Sequence, residues 1–454
     1  MRRMKDYQKN AQLTDGPVGK ILIRLTIPMV IGIVSMVAFN LVDTFFVGRL
    51  GALELAAISF TFPVVLVVHS LAMGLGIGTS AVLSRAIGEG YHHKVQRLAT
   101  DGLILSVLIV ATFVIAGMAT IEPLFRMLGA NEKIIPLIKE YMKIWYIGVP
   151  FVIIPIVGNN AIRATGDTIT PSAIMVVAIV INLTLDPMLI FGIKPFPRLE
   201  LAGAALATVI ARAVTLVVSL LVLTCREKML TFKVPKPKDV FNSWKQILYV
   251  GLPAAGTNMI IPVSIGIITR LVSSYGSESV AGFGVASRIE HFALTLVMAL
   301  STVLIPFVGQ NFGARKHARI QMGVKYSQIF AMLWGAFIFI LLIISARMIA
   351  GIFNKNPAVI SSIVLYLIIV SISYGAHGVF LLTASTFNAL NKPLPASGLS
   401  ILRMFILYIP FALLGSRLFG LRGIFGAATF ANFVTAAASF FWIKRVIKVN
   451  KNIK

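Results

Sequence analysis

Three of the 16 carboxylates in this sequence stand inside or against long apolar stretches: Asp43, Asp186 and Glu290. Asp43 follows residues 25–42, which carry no charge at all. A carboxylate withdrawn into an apolar span is costly to desolvate, and such groups mark ion or proton pathways. Asn40 lies three residues before Asp43, and Asn182 lies four before Asp186. Both spacings put amide and acid on one helix face. Burial disfavours the charged form of a carboxylate, so either acid could take up a proton near neutral pH. Sodium would instead need several oxygens, from Asp43, Asp186, Asn182, the hydroxyl of Thr184 or Thr208, and main-chain carbonyls. Asp186 has structural alternatives: a cap beside Pro187, where the backbone is expected to be irregular, or an ion pair with Arg212. Glu290 sits among Arg288 and His291, which suggests a local ion pair or a second coupling site. Arg212 and Arg403 interrupt apolar spans too centrally to reach water, so both are expected to face the bundle interior. Pro28 removes one backbone hydrogen bond from the stretch that ends at Asp43, and so gives it a place to bend.

These residues need membrane helices to hold them. Apolar residues make up 57% of the chain and charged ones 13%, the composition of an integral membrane protein. Twelve spans are expected, at 22–47, 55–84, 101–121, 137–161, 169–192, 201–225, 246–270, 280–310, 325–347, 358–386, 393–416 and 423–443. Most contain about 18 or more uncharged residues, enough to cross the hydrocarbon core. The net charge of +25 falls mainly on alternate connections, including Arg2, Arg3, Lys5 and Lys9, then Arg226 to Lys238, then Lys444 to Lys454. That pattern implies both termini in the cytoplasm and argues against nucleic acid as the partner. The one cysteine, Cys225, leaves no intrachain disulfide and no thiolate metal cluster. No Gly-x-x-x-x-Gly-Lys loop, His-Glu-x-x-His motif or nucleophile elbow is present, so neither an enzyme nor direct use of ATP is expected. The glycines of Gly74-Leu-Gly-Ile-Gly78 lie within a span and are expected to let helices approach closely.

The halves repeat. A shift of 225 residues takes Pro28 to Pro253, Gly51 to Gly276, Gly88 to Gly313 and Tyr141 to Tyr366. Six spans per half give both halves the same orientation, a parallel repeat. The expected architecture is all-α, with two pseudo-symmetric six-helix lobes around a central cleft: residues 1–225, a basic linker at 226–244, and 245–454.

The residues now carry a resemblance. Pro28 with Asn40-Leu-Val-Asp43-Thr-Phe-Phe-Val-Gly-Arg-Leu-Gly51, Arg163-Ala-Thr-Gly-Asp-Thr-x-Thr-Pro171, Asn182 with Asp186-Pro, and Gly203-Ala-Ala-Leu-Ala-Thr208 resemble the multidrug and toxic compound extrusion (MATE) family over the whole chain. The seventh span lacks an acid, and the set Asp43, Asn182 and Asp186 is similar to the DinF-like subgroup. The resemblance implies protonation at Asp43, bending at Pro28, a polar network joined by Asn159 and Thr208, and cargo contacts from Met29 and Met175, with Asn40 beside them. It implies a monomeric, multi-pass cell-membrane antiporter without a cofactor. Cationic or amphiphilic organic compounds would be exported in exchange for H+ or Na+, with sodium held by Asp43 and Asp186. The alternative is a lipid or lipid-linked oligosaccharide flippase, for which Arg212 and Arg403 would hold a pyrophosphate head group.

Overall fold

A long apolar segment in lipid must satisfy its own backbone, which only helices and closed barrels achieve. The computed structural model describes residues 12–50, 52–193 and 196–452. The side chains of 40, 41, 44, 48, 52–56 and 447–452 are not included. Arg2, Arg3, Lys5, Lys9, Gly51 and Lys454 lie outside the described residues.

Helices α1 (Val18–Gly48), α2 (Ala52–Glu89), α3 (His92–Met127), α4 (Ile135–Ala164), α5 (Ile169–Phe191) and α6 (Glu200–Leu221) form the first repeat. The second holds α7 (Pro237–Ser273), α8 (Ser277–Gly313), α9 (His317–Phe353), α10 (Pro357–Ser371), α11 (Tyr374–Ala389), α12 (Pro393–Ile401), α13 (Ile409–Phe419) and α14 (Leu421–Asn452). A π-helical segment, Leu402–Tyr408, joins α12 to α13, and another, Val222–Arg226, ends α6. Among the described residues, eleven helical stretches are long and apolar enough to cross a membrane, and α10 with α11 makes a twelfth that is bent by 58°. All twelve expected spans fall on these helices. The repeat is visible in the element bounds: α2 and α3 begin at 52 and 92, α8 and α9 at 277 and 317.

The chain divides into two compact units, but not at the expected linker. One unit contains Ile27–Ala255, and the other joins Leu13–Thr26 to Gly256–Lys454. The connection expected at 226–244 is tied to α3 of the first unit. Gln96 Nε2 donates to the Lys228 carbonyl at 2.9 Å, the Thr231 N–H to Thr100 Oγ1 at 3.0 Å, and Trp244 Nε1 to the Asp101 carbonyl at 2.9 Å. The segment before α1 is held in the second unit in a similar way. Asn311 Nδ2 donates to the Leu13 carbonyl at 3.1 Å, Lys316 Nζ to Asp15 Oδ1 at 2.7 Å, and Arg319 Nη1 to the Gly16 carbonyl at 2.7 Å. Hydrogen bonds to these lead-in segments thus override the compositional boundary. The seams within α1 and α7 fall within three residues of Pro28 and Pro253.

Each unit has its own apolar core. In the first, Phe125, Met142, Tyr146 and Ile153 are buried; in the second, Phe283, Tyr366 and Phe425 form an aromatic cluster with centroids 4.9–6.3 Å apart. Glycines let α2 and the first part of α7 touch. A Cβ on Gly74 would lie 2.4 Å from the Gly251 carbonyl oxygen, and one on Gly78 would lie 2.4 Å from that of Ile247. This is small-residue packing at a four-residue spacing. Gly78→Leu is expected to destabilise the protein by about 1–3 kcal/mol through overpacking. The check is thermal unfolding in detergent, and an unchanged midpoint would contradict the contact.

Candidate ion and cargo site

The site in the first unit is built on α5. Asn182 and Asp186, one helical turn apart, are both 0% exposed, and Asn182 Nδ2 donates to Asp186 Oδ1 at 3.0 Å. Four buried oxygens of the first unit have no hydrogen-bond partner among the described residues: Asp43 Oδ1 on α1, Asn159 Oδ1 on α4, and Asn182 Oδ1 and Asp186 Oδ2 on α5. Native proteins rarely leave buried acceptors unanswered, and a bound proton or cation is what such oxygens would accept. Asp43 and Asp186 lie within electrostatic range of each other, and the buried phenol of Tyr141 on α4 is within range of both.

The helix passes Pro187 without a break, which corrects the expectation of irregular backbone there. The proline removes one hydrogen bond, and packing on α6 holds the rest. A Cβ on Gly203 of α6 would sit 2.5 Å from the Leu189 carbonyl oxygen, so the two backbones are in contact. The Thr184 hydroxyl is turned away from the site, exposed and donating to the Val180 carbonyl at 2.8 Å. Thr208 is half-buried on α6 and makes no hydrogen bond to Asn182 or Asp186. Asp186 is partnered by Asn182 and not by Arg212. The backbone of Asn40 is in α1, while its side chain is outside the described residues. Pro28 lies inside α1, which continues past it as one helix.

A cavity of about 60 Å³ opens beside these residues. Asn159 and Met175 line it, as expected, but Met29 does not; it is fully packed, with 2% exposure. Three cationic or titratable groups also line the wall: His69, Arg163 and Arg212. No carboxylate does. The Arg212 guanidinium stands 4.5 Å from the Phe39 ring centroid, and its Nε has no partner among the described residues. Arg163 Nη1 donates to Asn160 Oδ1 at 3.3 Å, and its Nε is likewise unpartnered. Sequence reasoning gave no role to His69 or Arg163. The available signal was an ionisable residue inside an apolar stretch, Val67-Val-His-Ser-Leu71, the same signal that marked Asp43. In the second unit Glu290 is bonded by Tyr366 and faced by His377, from two other helices, and makes no ion pair with Arg288 or His291 among the described residues.

The MatE family model matches this chain twice, over residues 28–188 and 253–414, and the two matches begin at the two prolines superimposed by the repeat. The chain belongs to the MATE family. MATE proteins are membrane transporters of small molecules, so the chain is a multi-pass membrane transporter. It is 37% identical to a FAD transporter of Shewanella oneidensis over 96% of each chain. It is 25% identical to the multidrug export protein MepA of Staphylococcus saprophyticus over 93% of this chain and 92% of that one. Its fold matches the Vibrio cholerae MATE transporter VcmN in the bent form with a TM-score of 0.91 and 31% identity, covering 95% of this chain and 98% of that one. The MATE repeat thus accounts for both units, and the polar groups of α1, α4 and α5 lie within one of them.

Asn182→Leu removes the one donor on the Asp186 carboxylate among the described residues. It is expected to lower the stability of this MATE protein by about 1–3 kcal/mol, the cost of an unanswered buried acceptor. The loss is read as an earlier thermal transition of the purified protein.

Proposed function

We propose that this MATE protein is a secondary active antiporter in which H+, or Na+, enters at Asp43 and Asp186 and drives an amphiphilic organic molecule outward across the cell membrane, with both termini in the cytoplasm. The observation that supports this is a pair of carboxylates, half-buried Asp43 on α1 and fully buried Asp186 on α5, each with a buried oxygen that has no partner among the described residues. Asp43 loads the ion, Asn182 and Asp186 shape the site, Asn159 and Thr208 extend the polar surroundings, and Pro28 gives α1 its bend. Sodium, as the transported ion, would be held by the same oxygens.

The cavity wall bears on the cargo. Two guanidiniums, each with a buried Nε that has no partner among the described residues, and no lining carboxylate suit a molecule with a phosphate or carboxylate group, which a guanidinium binds with charge-assisted hydrogen bonds. Methionines 36, 73 and 175 on the same wall suit a flat apolar portion. A relative is named for FAD, an anionic and flat molecule, which is consistent with this reading. Cationic drugs remain the second reading, favoured by the multidrug export names of other relatives.

Efflux from proteoliposomes tests both parts. FAD and a cationic dye are loaded separately, and a pH gradient or a sodium gradient is imposed. Asp43→Asn is expected to fold and to lose gradient-driven efflux of either cargo; full activity would overturn the coupling role. Arg212→Ala is expected to reduce FAD efflux at least tenfold, the loss of one charge-assisted contact of about 1.5–3 kcal/mol, and to spare the dye. Loss of dye efflux with FAD efflux intact would reverse the cargo assignment.

A further inference from the structure

The second unit contains a buried polar cluster that the proposed coupling site does not use. Glu290 on α8 accepts a hydrogen bond from the Tyr366 hydroxyl of α10 through Oε2. Its Oε1 lies 3.5 Å from His377 Nδ1 on α11. The other ring nitrogen, His377 Nε2, is 3.0 Å from Arg403 Nη1. Arg403 Nη1 also donates to Asn432 Oδ1 at 3.2 Å, and Asn432 Nδ2 donates to Ser373 Oγ at 3.0 Å. A guanidinium has donors only, so Nε2 must accept and the ring proton must lie on Nδ1, toward Glu290. The arrangement therefore calls for a neutral imidazole between the Glu290 carboxyl group and the guanidinium.

Other features single this cluster out. It lines a cavity of about 240 Å³, together with His291, Ser287 and Tyr408. Arg403 Nε is buried there with no partner among the described residues. Arg403 is the second residue of the π-helical segment Leu402–Tyr408, and His377 lies in the first turn of α11, just after the 58° bend. π-helical segments and broken membrane helices concentrate at functional sites. The repeat supplies an independent observation. Tyr366 corresponds to Tyr141, which lies within range of Asp43 and Asp186, while the counterpart of Asp43 is Ile268. Ile268 lines the cavity, and the carboxylate under the tyrosine comes instead from Glu290 on the next helix.

We infer that the second unit has a proton-binding site of its own, with Glu290 and His377 as acceptors and Arg403 as the group that the proton displaces. A proton from water can add to His377 Nε2 only when Arg403 Nη1 withdraws, because both would then be donors. The imidazolium pairs with Glu290 through Nδ1–H, and the guanidinium, repelled by it, moves toward the cavity and Tyr408. No covalent bond other than the new N–H forms or breaks. The groups facing the pair are Tyr366 from α10, Tyr374 from α11, Arg403 and Tyr408 from the π-helical segment, Asn432 from α14, and Ser287 and His291 from α8. The cluster's place in transport rests on the antiporter reading, but its protonation does not.

The test is a pH titration of the histidine ring resonances of the purified full-length protein in nanodiscs. The chain has 6 histidines, and His377→Gln identifies the resonance of His377 by its loss. That resonance is expected to move as the pH of the sample is lowered from about 8 to about 5. In Glu290→Gln its midpoint is expected to fall by about one unit, since the balancing negative charge is gone. A His377 resonance that does not move over this range, or that moves identically in Glu290→Gln, overturns the proposal. If His377→Gln does not fold, His377→Asn serves for the assignment. In proteoliposomes His377→Gln is expected to keep pH-driven efflux but to shift its pH profile, whereas Asp43→Asn abolishes efflux. Absence of efflux from the unmodified protein would remove the antiporter reading and leave the titration result standing.

Discussion

A carboxylate among apolar helices has to be answered by groups of the same protein, because lipid offers it nothing. In the first unit that constraint is met incompletely. Asn182 donates one hydrogen bond to Asp186, and Asp43 Oδ1, Asn159 Oδ1, Asn182 Oδ1 and Asp186 Oδ2 have no partner among the described residues. A fully answered site would be inert, since a bound ion would add nothing. The unanswered oxygens leave something for an entering ion to stabilise, which is what differential binding between two states of a transporter requires.

The packing that holds these groups depends on small residues. Gly203 lets α6 touch α5 just beyond Asp186, and Gly74 and Gly78 let α2 touch α7. Close backbone approach holds the helices at fixed rotation, and fixed rotation keeps Asn182 and Asp186 out of lipid. The lead-in segments are held just as firmly. Side chains of α3 hold the chain before α7, and side chains of α8 and α9 hold the chain before α1. The two helices that pass between compact units, α1 and α7, both have a proline within three residues of the crossing.

The two units repeat one plan with different chemistry. Tyrosines 141 and 366 occupy corresponding positions, and each lies by a buried acid, yet the acids come from different helices of the repeat. The fifth span carries Asp186 in one unit, and the corresponding eleventh carries Arg403 in the other. The fold has kept the phenol and reassigned the charges around it.

The sequence by itself determined the twelve spans, the 225-residue repeat and the place of Asp43 and Asp186 on apolar helices, because hydropathy, spacing and the cost of a charge in an apolar run are local properties. It also placed Asn182 on the face of Asp186, since one helical turn separates them. Tertiary structure alone decided the rest. The partners of Glu290 are 76 and 87 positions away along the chain, and the cavity wall gathers His69, Arg163 and Arg212 from three helices. The seam between units lies at Ala255 and not in the basic linker, because side-chain bonds from α3 hold that linker. Which faces of different helices meet depends on their mutual rotation, and no periodicity within one helix encodes the rotation of another.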